Sequence, residues 1–138
     1  MLKKKSFTLM EMLVVLVIIG TLAALAWPNY VAIKEKTLNR EAKASLALIR
    51  AAEKIYRMEQ GFYYPHLAST SSVSDINSFL KLSLPDSAGV SWAISLNSTS
   101  PTEYGTATRT GTGADGRIWT INFPGETDAA CSGGTACP

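Results

Sequence analysis

Residues 3–20, KKKSFTLMEMLVVLVIIG, set three lysines and one carboxylate, Glu11, ahead of an apolar run that has no Asp, Glu, Lys, Arg or His from Met12 to Ile33. Phe7 to Trp27 is about the length a helix needs to cross a hydrocarbon core of roughly 30 Å at about 1.5 Å per residue. The lysines bias the N-terminus to the cytoplasmic side and everything after Trp27 to the far side. A carboxylate in such a run costs up to about 3 kcal/mol at a helix centre and less near the interface. A segment that only had to sit in lipid would be better off without Glu11.

Three readings of this segment stand side by side. A cleaved secretory signal would use Lys3, Lys4 and Lys5 as its basic region and Ala24-Leu25-Ala26 as its cleavage site, but the apolar run is long for that and Glu11 is unwelcome. A plain signal anchor explains the length and leaves the acid unexplained. The third reading rests on Lys5-Ser6-Phe7-Thr8-Leu9-Met10-Glu11, which resembles the prepilin signature of type IV pilins and of the pseudopilins of type II secretion. Gly20, Pro28 and Tyr30 match residues that this family typically carries.

The resemblance implies a basic leader, Met1 to Ser6, cut before Phe7 by a membrane peptidase, and methylation of the new N-terminus at Phe7. Where the family usually has Gly before the cut, this sequence has Ser6, another small residue. Cleavage would create a positively charged amine four residues from Glu11. Two poorly hydrated charges are disfavoured unless paired, within one chain or between chains, and the family resemblance implies that Glu11 is the partner of a neighbouring subunit's N-terminus during filament assembly. The reading set against this is a single carboxylate that snorkels to the interface with no partner.

Beyond the membrane run, Leu38, Ala42, Leu46, Ile49, Ala52, Ile55 and Tyr56 recur at three- and four-residue steps. Lys34, Glu35, Lys36, Arg40, Glu41, Arg50, Glu53, Lys54 and Arg57 fill the other positions. That pattern predicts an amphipathic helix over residues 29–60 with one buried stripe, stopped by Gly61. With the membrane half, residues 7–28, it makes one helix of roughly 50 residues, interrupted in propensity at Gly20 and Pro28. A kink is one reading of that pair. The family resemblance implies a second, in which residues 20–28 lose helical order and extend in a filament.

The remainder is a polar head. Residues 61–89 read as a connecting loop with a short helix near Asp75 to Leu82 capped by Ser74. Residues 90–138 change to period two, with Val90, Trp92, Ile94 and Leu96 on one face, then Tyr104, Thr106 and Thr108, then Trp119, Ile121 and Phe123. GTGADG, residues 111–116, is a hairpin connection; it lacks the Gly-Lys-Ser/Thr ending of a phosphate loop. The fold class is α+β, pilin-like: one long N-terminal helix on a small antiparallel sheet of three to four strands.

Cys131 and Cys137 are the only cysteines, and in an exported chain they read first as a disulfide; a zinc half-site completed by another chain is the alternative. The pair also resembles the C-terminal disulfide-bounded region of type IV pilins, which favours a pilus subunit over a secretion pseudopilin. Phe62, Tyr63, Tyr64 and Pro65 are expected to pack at the helix–loop junction, and His66 to lie at the surface. Asp115 and Asp128 make a weak calcium pair, and Asn97-Ser98-Thr99 a glycosylation triplet in an exposed loop.

Function classes narrow accordingly. The 138 residues carry a net charge of +2, and loss of the three leader lysines leaves the side chains at −1, which removes any charge argument for nucleic-acid binding. One histidine and scattered carboxylates assemble no catalytic constellation, so neither an enzyme, a metal site nor a cofactor is expected. The leading expectation is a type IV pilus subunit, held in the bacterial inner membrane as a precursor and then polymerised into an extracellular homo-oligomeric filament. Its partners would be copies of itself, a prepilin peptidase and methyltransferase, and a pilus assembly platform. A secretion pseudopilin or minor pilin is the alternative within the same machinery. An exported or membrane-anchored binding domain that never polymerises is the alternative from another class.

Overall fold

The computed structural model describes residues 7–86, 89–99, 101–111, 113–135 and 137, with the side chain of residue 28 left aside. Seven elements follow in chain order: α1 (Leu9–Gln60), β1 (Ser69–Thr70), α2 (Val73–Leu80), β2 (Trp92–Thr99), β3 (Thr102–Arg109), β4 (Ile118–Asn122) and β5 (Ala130–Ser132). The chain divides into two units, residues 1–37 and 38–138. α1 contributes to both.

In the first unit α1 is apolar and long enough to cross a membrane. Thr8 opens it: its Oγ1 accepts the Glu11 N–H at 3.2 Å, and its carbonyl accepts the Met12 N–H at 3.3 Å. Thr8-Leu9-Met10-Glu11 thus has the spacing of a capping box, with an acid in the first turn where the helix dipole favours it. The helix continues through Gly20 and Pro28.

In the second unit the remainder of α1 lies on a five-stranded antiparallel sheet of order β1-β2-β3-β4-β5. The three central strands are those that the period-two pattern marks, and two short edge strands complete the sheet. Ala42, Leu46 and Ile49 of α1 are fully buried against Ile94, Leu96, Ala107, Trp119, Ile121 and Phe123. The stripe differs from its sequence reading at one end. Ile55 is exposed, whereas Glu53, which falls three to four residues from Ile49 and Tyr56, is buried.

β3 also differs. Its inward face is Gly105, Ala107 and Arg109, and Tyr104, Thr106 and Thr108 lie on the outward face. The reason is packing: a Cβ on Gly105 would stand 3.2 Å from the Phe123 ring and 3.3 Å from a Leu96 methyl, so large neighbours on β2 and just after β4 fill the space over small residues. Ala107 is held between Ile94 and Trp119 in the same way.

α1 ends at Gly61, whose φ of 87° and N–H to the Arg57 carbonyl at 2.8 Å close the helix in the left-handed conformation that glycine adopts without strain. α2 begins two residues earlier than its sequence reading. Ser72, not Ser74, is the cap, its hydroxyl accepting the Asp75 N–H at 3.3 Å. Asn77 then pins the following loop by exchanging two hydrogen bonds with the Leu84 backbone, at 2.7 and 2.8 Å.

Candidate functional site

The residues singled out by sequence fall in two places. Ser6 lies outside the described residues, as does the rest of the leader. Phe7 precedes the first turn of α1 and is 70% exposed, and Glu11 is exposed within that turn. From Leu9 to Ile33 every large apolar side chain described is exposed, among them Leu16 at 70% and Trp27 at 74%. Such a surface is far larger than a soluble chain leaves bare, so it requires lipid or protein around it.

Thr21 and Thr37 return their hydroxyls to the carbonyls of Ile18 and Ile33, at 2.9 and 3.0 Å, which satisfies these polar groups within the helix. A Cβ at Gly20 meets nothing within 4 Å among the described residues, whose packing gives no reason for glycine there. Pro28 has no N–H to offer the carbonyl one turn before it. Thr8 is the helix-capping residue that sequence reading missed, although its three-residue spacing to Glu11 carries the signal.

In the head, Cys131 and Cys137 are joined in a disulfide with Cα atoms 5.7 Å apart. Cys131 sits on β5, opposite Trp119 of β4. Asp115 turns to Arg117, its Oδ1 accepting from Nε at 2.9 Å and from the backbone N–H at 3.2 Å, while Asp128 is exposed. Among the described residues no group of three or more His, Cys, Asp or Glu is placed to hold a metal. Asn97-Ser98-Thr99 lies in β2 and not in a loop; Ser98 is buried and gives its hydroxyl to the Tyr63 carbonyl at 2.9 Å.

Asn39 of α1 links helix to sheet, its Oδ1 accepting from Arg117 at 2.8 Å and from the Trp119 indole at 3.3 Å. Lys43 lies over the Trp119 ring at 4.5 Å. The junction after α1 is aromatic, as its sequence implies. Tyr63 is buried against Phe123, Tyr64 stacks on Phe79 at 4.6 Å, and Tyr56 meets Phe62 and Tyr64 edge-on. His66 is exposed and sits against Phe62.

These contacts are structural, whereas the exposed apolar segment with its acid and threonine at the start is where the chain has unmet requirements. A family model described as the prokaryotic N-terminal methylation motif matches residues 1–27. Over 61 residues the chain is 36% identical to the type IV major pilin protein PilA of Myxococcus xanthus, covering 44% of this chain and 28% of that relative. Over 61 residues it is 38% identical to the type II secretion system core protein G of Escherichia coli, covering 44% and 42%. The corresponding core protein G of Vibrio cholerae is 35% identical, again over 44% and 42%. The match thus spans less than half the length of each of these relatives. No solved structure matches the chain.

Proposed function

The chain carries the N-terminal signature of the type IV pilin and type II secretion pseudopilin family, and on that premise we propose that it is the structural subunit of a type IV pilus. The precursor is inserted in the bacterial inner membrane through residues 7–28. A prepilin peptidase cuts between Ser6 and Phe7, and the Phe7 amine is methylated. Glu11 then pairs with the Phe7 amine of a neighbouring subunit, and the apolar helices bundle as the heads face solvent.

The observation that carries this reading is the exposure of every large apolar side chain described from Leu9 to Ile33, directly behind the Phe-Thr-Leu-Met-Glu start. The segment serves twice, first against lipid and then against copies of itself. Glycine at position 20, which no contact among the described residues requires, leaves room for close approach of another helix or for extension of residues 20–28 in the filament. The role is structural, with no catalytic step.

A second reading, a type II secretion pseudopilin, has support of its own in the match to core protein G. The Cys131–Cys137 disulfide favours the pilus subunit. N-terminal sequencing of the mature protein tests the shared premise: a methylated Phe7 is expected, whereas Trp27 would make it an ordinary exported domain and an intact Met1 a simple anchor. Abundance of the chain in sheared surface filaments then separates the two readings, and its absence there would overturn the pilus subunit.

A further inference from the structure

Glu53 occupies a core position on α1. The spacing Ala42, Leu46, Ile49, Glu53, Tyr56 is one continuous stripe, and Glu53 has no exposed surface. Its Oε2 accepts the Tyr64 N–H at 2.9 Å, holding the chain where it turns back from the helix. Its Oε1 is buried with no hydrogen-bond partner among the described residues. A carboxylate in that position needs a cation or several donors, and it has one N–H.

The surrounding charges do not supply what is missing. On α1, Arg57 gives its guanidinium to the Tyr63 hydroxyl at 3.0 Å and lies over that ring, while Lys54 faces Glu126 at 3.8 Å. From β3, Glu103 adds a like charge. The 61–66 loop contributes the Tyr64 phenol, on which Asp75 of α2 and Tyr56 also act. The environment therefore favours the neutral carboxyl.

We propose that Glu53 is a proton-operated latch for the 61–66 loop: protonated, it holds the loop on α1, and ionised, it releases it. The neutral acid keeps a carbonyl oxygen for the Tyr64 N–H and buries no charge. The anion gains a stronger bond to that N–H, but its bare oxygen and Glu103 make hydration the better outcome, which requires the loop to lift. Burial raises the Glu53 pKa from 4.5 to about 7, the Tyr64 N–H opposes the rise and Glu103 adds to it. The packed loop thus holds the proton, and packing weakens as pH rises through that value. Release also frees the Tyr64–Phe79 stack, which ties the loop to α2.

The test uses the full chain in detergent micelles, with the Tyr64 amide NMR shift followed from pH ~5 to ~9. A titration with a midpoint of about 7 is expected. Glu53→Gln, which keeps an acceptor and removes the charge, should abolish it; Glu103→Gln, which leaves Glu53 in place, should move the midpoint down. Amide exchange of residues 62–66, corrected for its intrinsic pH dependence, should be faster above the midpoint than below it. A flat Tyr64 shift, a titration that survives in Glu53→Gln, or equal loop protection on both sides of the midpoint would overturn the latch.

Discussion

At the scale of single residues, two glutamates on one helix have opposite situations. Glu11 is exposed, and its own backbone N–H is already used by Thr8. Its exposed side chain is the one that the proposed assembly pairs with a neighbouring subunit, while its position in the first turn supports the helix start. Glu11→Gln separates the two roles, since glutamine also suits that capping position but carries no charge. Processing to Phe7 and membrane insertion should be retained, and the yield of sheared filaments should fall at least tenfold, as loss of a charged hydrogen bond of about 1.5–3 kcal/mol requires. Filaments at wild-type yield would leave Glu11 a capping residue alone. Glu53 is the reverse case, buried with its charge unmatched. Its pKa in the folded head is raised from 4.5 to about 7, so the folded state binds the proton more tightly. Its stabilising effect is full below the unfolded value and is lost as pH rises through the folded one. Thermal melts of the head should therefore fall in midpoint across that interval, and Glu53→Gln should flatten the fall and raise the midpoint by several degrees above it. An unchanged slope in the variant would place the pH dependence elsewhere.

At the scale of elements, the sequence is most legible where one residue type repeats on one face. The α1 stripe and its stop at Gly61 follow from three- and four-residue spacing and from the glycine. The inner rows of β2 and β4 follow from alternating large apolar residues. β3 is not legible in that way because its buried row is Gly105, Ala107 and Arg109, chosen for the volume left by Phe123, Leu96 and Trp119, and volume is a property of neighbours distant in sequence. Glu53 escapes for a related reason: charge suggests solvent, while the four-three spacing places it in the core. The start of α2 turns on a choice between Ser72 and Ser74, which only the hydrogen bond to Asp75 decides. Ser72→Ala should accordingly cost about 1 kcal/mol, and Ser74→Ala much less. Denaturant melts of both variants measure the difference, and equal effects would contradict the assignment of the cap.

At the scale of the whole molecule, the chain combines one unit with no use for itself alone and one that holds together by its own core. The first is marked in the sequence by a short local motif, which a family model matches over residues 1–27, because that signature is a run of neighbours in sequence. The second depends on a sheet closed at one edge by β5, a strand of three residues that carries Cys131. So short a strand has little hold on β4 without help, and the disulfide to Cys137 supplies it. Closing a loop of this length contributes about 2 kcal/mol through the unfolded chain. In a head of this size that corresponds to a fall of about 10 °C in midpoint when the bond is absent. Cys131→Ser with Cys137→Ser should show this fall, and reductant should lower the wild-type midpoint equally while leaving the double variant unchanged. If the proposed function holds and α1 rather than the tail carries the assembly surface, filaments should still form at temperatures where the head stays folded. A double variant that melts with the wild type would show that β5 is held by its own pairing, and one that stays folded yet yields no filaments would move part of the assembly surface to the tail.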